Sequence, residues 1–375
     1  MSYTISAIAV KSYNRALLEA AIRRHFAELN IAEKLNPAMR VLLKPNLLMK
    51  RTPEEGTTTH PELVRAVAVV LKEHGINDIT IADSPSGPYQ KKPLEAIYAA
   101  TGMARVASET GAKLALSTGW ETVPNTVPNS LCKEFNIISP VRQADFIINL
   151  PKLKTHVLTA LSGGVKNLFG CVPGLQKPEM HLRFPDSERF GRMLLELAGC
   201  VCPALTIADA VVSMEGDGPS AGSLRQTGWT LAAENIYALD MALCQLIGIA
   251  PEQVQTVRLA VLEGNSPREY KELTYVGDGQ PPPVTDYRIP ATGLVRGAGM
   301  LLPSFLSRPF RRAAMWFAPR PVICSQSCIG CGKCAESCPA KVIELVHSKA
   351  KIDYNGCIRC FCCHEMCPVR AVEIR

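Results

Sequence analysis

The sequence runs to 375 residues, 47% apolar and 20% charged, enough core for one large and one small domain and too apolar for a disordered chain. A formal charge of +7, from 41 basic and 34 acidic residues, is too mild for nucleic-acid binding, and no apolar run reaches the length of a membrane span. Met1–Thr4 lack the basic start of a secretory signal, so the fifteen cysteines are expected in a reducing cytoplasm, that of an anaerobic or microaerobic cell.

In chain order, alternation over 4–10 predicts a strand and the periodicity of 13–29 a helix. A strand over 40–43 runs into Lys44-Pro45-Asn46, and a helix follows over 61–74, with Thr59 as its cap and Gly75 as its stop. A strand over 78–82 ends at Asp83-Ser84-Pro85, followed by a helix over 93–101 and a weak strand near 113–116. Residues 118–140, rich in proline and asparagine, read as an excursion or a two-stranded insert. Further strands are expected at 144–150, 204–208 and 228–232, with helices over 186–199, 235–247 and 251–263. This alternation predicts an α/β unit over 1–292, a mainly parallel sheet with helices on both faces, its last part (265–292) irregular. Residues 293–322 form a connector with five arginines (Arg296, Arg308, Arg311, Arg312, Arg320), expected to pack between the two units and not on a membrane.

Residues 323–375 hold the strongest signal. Cys328, Cys331, Cys334 and Cys338-Pro339 spell C-x2-C-x2-C-x3-C-P, and Cys357, Cys360, Cys363 and Cys367-Pro368 repeat it. Three closely spaced thiolates can cap three irons of one cube, while the cysteine before proline reaches the other cube. One 4Fe-4S cluster should therefore take Cys328, Cys331, Cys334 and Cys367, and the second Cys357, Cys360, Cys363 and Cys338. Paired zinc sites would not call for the third cysteine in each half. Cys362 and Cys324 are left over, because Cys363 alone keeps the repeat spacing to Cys367. Val342–Glu344 and Val372–Ile374 echo each other as short strands, and the segment resembles the bacterial two-cluster ferredoxin, a small α+β domain.

In the large unit, polar clusters stand at predicted carboxyl ends of strands, where open parallel sheets bind ligands. Lys44, Lys152, Lys154 and Lys166 could build an anion pocket, although a strand-end lysine is more often simply solvated. Gly163 and Gly164, after Ser162, would let backbone approach a ligand. Asp209 with Glu215 and Asp217 reads as a turn before a divalent-ion site, and Cys171 as a buried thiol before a redox one. No G-x-G-x-x-G follows the early strands, so a nicotinamide cofactor is not indicated.

At Lys44–Leu47, Thr59–Pro61, Asp83–Pro85, Pro151–His156, Val165–Gly170 and Gly216–Pro219 the chain resembles the family called domain of unknown function 362. A weaker resemblance, to the nickel-pincer lactate racemases, runs through His156, Ser162-Gly163-Gly164-Val165-Lys166, His181 and Thr58-Thr59-His60-Pro61, though no arginine stands between His60 and Pro61. It implies that His60, His156 and His181 share a site with Lys166 in catalytic roles, while the strand-end clusters themselves offer Lys44, Asn46, Asp83, Lys152, Lys154, Ser162, Gly163 and Gly164 as substrate-binding residues. The expected function is an iron–sulfur oxidoreductase that works with an electron donor or acceptor protein and a small anionic substrate or cofactor. A further metal or small-molecule cofactor in the α/β unit is left open. The alternatives are a non-catalytic electron-transfer module and a racemase-like isomerase with structural clusters.

Overall fold

The computed structural model describes residues 3–290 and 319–375. Strand β1 (Tyr3–Ala9) leads through α1 (Arg15–Glu28) to β2 (Arg40–Pro45), then α2 (Pro61–Glu73) to β3 (Asp78–Ile81). Helices α3 (Lys91–Ala100) and α4 (Met103–Thr110) precede the short β4 (Lys113–Leu114). The insert is an antiparallel pair, β5 (Trp120–Pro124) and β6 (Glu134–Ile138), followed by α5 (Ser139–Gln143) and β7 (Phe146–Leu150). Next come β8 (Lys152–His156), β9 (Ala160–Ser162), α6 (Gly164–Asn167), α7 (Gln176–Arg183) and α8 (Ser187–Val201). Strands β10 (Leu205–Glu215) and β11 (Ser223–Ala233), helices α9 (Ile236–Ile247) and α10 (Gln255–Leu262), and β12 (Leu273–Gly277) complete the unit.

The sheet runs β12-β1-β11-β10-β7-β2-β3-β4. Only β11 opposes its neighbours on this path; the other pairs, β1 with β12 and β10 through β4, are parallel. Successive side chains of a strand point to opposite faces. Val41, Leu43, Phe146 and Ile148 accordingly join α1–α4 in one core, while Leu42 and Ile147 join α8 in another. A third core gathers β1, β10 and β11 residues around α9.

One departure from the sequence reading builds the site. The strand β10 is 11 residues long, and β7 covers only its start, pairing at Leu205 and Thr206. The rest is free to pair again, and after Pro151 the chain does so as β8, at Asp209 and Met214. The Pro-Lys-Leu-Lys-Thr-His stretch, read as a polar cluster at the end of a strand, is thus itself a buried strand that carries the sheet past its carboxyl edge.

Other corrections are local. Thr59 does not cap α2: its hydroxyl donates to the Leu150 carbonyl at 2.6 Å, and His60 caps the helix through Nδ1. Helices α4 and α7 were not anticipated, and 265–292 contains β12, which adds to the free edge of β1. The connector at 293–322 and its packing role lie almost wholly outside the described residues.

The C-terminal unit comprises β13 (Pro321–Ile323), α11 (Lys333–Glu336), β14 (Ile343–Val346), β15 (Lys349–Ile352), α12 (Cys362–Glu365) and β16 (Val372–Ile374). Its strands form two antiparallel pairs, β13 with β16 and β14 with β15. It docks on the carboxyl edge of the large sheet through main-chain carbonyls. Arg51 donates to the Cys367 carbonyl at 3.2 Å, Ser220 to that of Glu365 at 3.0 Å, and His364 Nε2 lies 3.0 Å from that of Asp217.

Candidate functional site: a basic cleft closed by the cysteine-rich unit

Alternation along β8 sends Lys152, Lys154 and His156 to one side. On the other, Leu153 enters the α9 core and the Thr155 hydroxyl bonds the Met214 and Gly216 carbonyls.

Two of the four lysines proposed for an anion pocket are spent on carboxylates. Lys44, fully buried at the end of β2, meets Asp83 at 2.7 Å, and Asp83 also accepts the Leu47 amide at 2.8 Å. Gly170 makes room for this pair, since a Cβ there would stand 2.0 Å from Asp83 Oδ1. Lys152 meets Asp209 at 3.0 Å and donates to the Tyr13 hydroxyl at 2.6 Å, which itself donates to Asp209. Unpaired charges at these depths would be costly, so both pairs are structural neutralisations. His60 belongs to the second group and does not join His156 and His181. Its ring stacks on Tyr13 at 3.6 Å, its amide donates to Asp209, and burial lowers its pKa to about 4.

Lys154 and Lys166 do face a common cleft, and so does Lys177 of α7, which sequence reasoning missed. Lys154 donates to Asn46 Oδ1 at 3.0 Å and the Thr57 carbonyl at 2.7 Å, with no carboxylate bonded to it. Lys177 donates to the Ser84 carbonyl at 2.6 Å. Burial brings both amines down to about 7. Lys166 lies over Phe169 at 5.0 Å and Phe190 at 5.8 Å, and burial also lowers its pKa. His181 stacks on Phe190 at 4.4 Å, and burial lowers it to about 3, so it stays neutral.

His156 is 1% exposed, and its Nδ1 accepts the Leu158 amide at 3.1 Å, which puts the proton of the neutral ring on Nε2. That nitrogen lies 3.1 Å from Glu365 Oε1, yet neither atom has a well-directed hydrogen-bond partner. Burial lowers the His156 pKa, with Glu365 partly opposing it. Burial alone would raise the Glu365 carboxyl, but His156, Lys166 and His181 hold it below the usual range. Glu365 comes from α12, so the cysteine-rich unit supplies the interior acid that faces Lys154, Lys166 and Lys177 of the α/β unit.

Gly163 and Gly164 serve a different purpose from the one expected. Asp240 accepts the Gly164 and Val165 amides at 2.5 and 3.1 Å, and a Cβ at Gly163 would meet its Oδ1 at 2.2 Å. The start of α6 is thereby closed by a buried carboxyl, pushed up to about 7 by burial, and is not open to an anion. Ser162 and Asn46 line the cleft. Glu215, at the end of β10, pairs with Arg288 at 2.9 Å, whereas Asp209 pairs with Lys152. Burial pushes the Cys171 thiol up to about 12.

The cysteines surround two separate hollows, one lined by Cys328, Cys331, Cys334 and Cys367 and the other by Cys338, Cys357, Cys360 and Cys363. Among the described residues no three His, Cys, Asp or Glu close on one ion; thiols ringing a hollow instead suit a cube with one iron per thiolate. Cys362 lines the cleft, and Cys324 lies 3.6 Å from the Ser327 hydroxyl.

The family described as domain of unknown function (DUF362) matches residues 41–245, and a 4Fe-4S dicluster domain matches 320–368. The chain is 32% identical over 285 residues to the thylakoid-associated protein sll1697 of Synechocystis sp., covering 73% of this chain and 84% of that one. Two solved structures are distantly similar. The lactate racemase apoprotein of Thermoanaerobacterium thermosaccharolyticum is 15% identical with a TM-score of 0.39, covering 62% of this chain and 54% of that one. A Thermotoga maritima protein is 13% identical with a TM-score of 0.36, covering 55% and 52%. The chain thus spans about half the length of these solved structures.

Proposed function

The chain belongs to the DUF362 family and carries a 4Fe-4S dicluster domain for iron–sulfur electron transfer, and from that premise we propose that it is an oxidoreductase exchanging electrons with a small anionic ligand in the cleft. Cys328, Cys331, Cys334 and Cys367 would hold one cluster, and Cys338, Cys357, Cys360 and Cys363 the other. Bound there, the clusters supply one-electron transfer.

One observation carries this reading: both short helices of the redox unit form the cleft wall. Lys333, Glu336 and Ser337 flank Cys334, and Cys362, Glu365 and Met366 flank Cys363 and Cys367. A ligand between Lys154 and Lys166 would lie against residues adjacent in sequence to ligands of both clusters. Lys154 and Lys166 bind and orient the anion, Phe169 and Phe190 exclude water, and His156 presents its Nε2 proton. Cys331 is the one exposed thiol of the eight, so an electron-carrying protein is expected to approach there. No helix among the described residues is long and apolar enough to cross a membrane, and a cytoplasmic place of action is part of this proposal.

The test is anaerobic purification, mass spectrometry of co-purified small molecules, and electron paramagnetic resonance of the reduced clusters with and without the bound molecule. The spectra or midpoint potentials should change on binding, and Lys166→Gln should abolish the change at unaltered iron content. A molecule shown to occupy the cleft that leaves the clusters untouched would refute the redox role and favour an isomerase with structural clusters.

A further inference from the structure

We propose that the cleft is selective for a compact dianion, a dicarboxylate or a phosphate-type group, held by Lys154, Lys166 and Lys177 with His156 Nε2 as a further donor. This deepens the preceding reading and rests on the same cleft. The side chains facing the interior include three ammonium groups, Lys154, Lys166 and Lys177, and one carboxylate, Glu365. Asp83 also borders the cleft but is neutralised by Lys44 at 2.7 Å, and at the mouth the exposed Lys333 and Glu336 offset each other. With all three amines protonated two positive charges remain, and buried charge calls for a counter-ion. The clusters add negative charge behind α11 and α12, but the loops around them have their own cations: Arg51 bonds the Cys367 carbonyl and Lys349 that of Cys328.

The cleft also holds unused hydrogen-bonding capacity. Lys154 keeps a third proton beyond those given to Asn46 and Thr57, and Lys166 lies over the faces of Phe169 and Phe190. His156 Nε2 is buried and, though 3.1 Å from Glu365 Oε1, lacks a well-directed partner. The cleft offers about 80 Å³, room for a few heavy atoms and far below the ~300 Å³ of a site for drug-sized ligands.

A proton linkage follows. Lys154 faces Glu365, Lys166, Lys152 and Asp83, and Lys177 faces Asp83, Lys44, Cys171 and Lys166. With both amines brought to about 7 by burial, part of each population is neutral above neutrality. A dianion favours their charged forms, so binding must take up protons and weaken as pH rises past about 7.

The experiment is calorimetric titration of the anaerobically purified, iron-loaded protein with inorganic phosphate, succinate and acetate, near pH 7.5 in two buffers of different ionisation heat. We expect phosphate, succinate or both to bind at least about tenfold more tightly than acetate, with net proton uptake. Lys166→Gln should lose about tenfold of that affinity at unchanged iron content. Equal binding of acetate, no binding of either dianion, no proton uptake, or undiminished binding by the variant would each overturn the proposal. The two readings fail separately. Dianion binding that leaves the cluster spectra unchanged removes the redox role and keeps this selectivity, whereas a singly charged co-purified molecule that shifts those spectra does the reverse.

Discussion

Asp83→Asn would test whether the Lys44 pair is scaffold or binding site. The Lys44 side chain is 0% exposed and that of Asp83 4%, with the two 2.7 Å apart. The substitution keeps shape but removes the negative charge, leaving an ammonium with the Pro45 carbonyl at 3.1 Å and an amide oxygen. Removing one partner of a buried pair costs about 3–5 kcal/mol, because the other remains buried and uncompensated. At about 2 °C per kcal/mol for a domain of this size, the midpoint should fall by roughly 6–10 °C. The assay is thermal and denaturant unfolding of wild type, Asp83→Asn, Lys44→Met and the double variant, followed as a double-mutant cycle. The double variant should recover much of the loss. If Asp83→Asn stays within about 1 kcal/mol of wild type, or the two losses simply add, the charges are not acting as a buried pair.

Wild type should carry about eight irons, Cys362→Ser should keep them and Cys363→Ser should lose about half; equal losses by iron analysis would refute the ligand register. Asp240→Ala leaves the Gly164 and Val165 amides without their acceptor, and denaturant unfolding should show a loss of about 2–3 kcal/mol. His25 is buried between Ser6 and Thr230 at 2.8 and 2.9 Å, and burial lowers it from 6.5 to about 3. Its contribution is complete above about pH 6.5 and is lost as pH falls toward about 3, so His25→Gln should flatten the acid limb of a stability–pH profile.

Periodicity carried much of the fold. Strands at 40–43, 78–82 and 144–150 stand out because burial on both faces leaves a run of apolar side chains with no rival pattern. β8 was hidden because a strand carrying Lys152, Lys154 and His156 looks like a loop unless its partners are known, and Asp209, Glu365 and Asn46 come from remote segments. The same reason conceals Lys177 and Asp240, which stand in no motif. Glu365 left one faint signal, an acid between the ligands Cys363 and Cys367, which local spacing alone could not connect to His156. The cysteine-rich domain was legible because the cube itself dictates the spacing of its ligands.

Because the acid wall of the cleft arrives with α12, the pocket has a birth date separate from that of its scaffold. His156 is synthesised long before Glu365, and amino-terminal units fold first as a chain emerges. Until the unit carrying α12 docks, the wall formed by Lys333, Glu336, Cys362, Glu365 and Met366 is missing from the cleft that holds Lys154 and Lys177. A cysteine-rich unit takes its shape from the metal it binds, so docking would follow iron loading. Enclosure of the lysines then becomes a final maturation step, one that withholds the closed cleft from every molecule still lacking its iron. Amine labelling of Lys154 and Lys177 before and after reconstitution would read that order directly: protection should appear only with iron, and protection already complete in iron-free protein would contradict it.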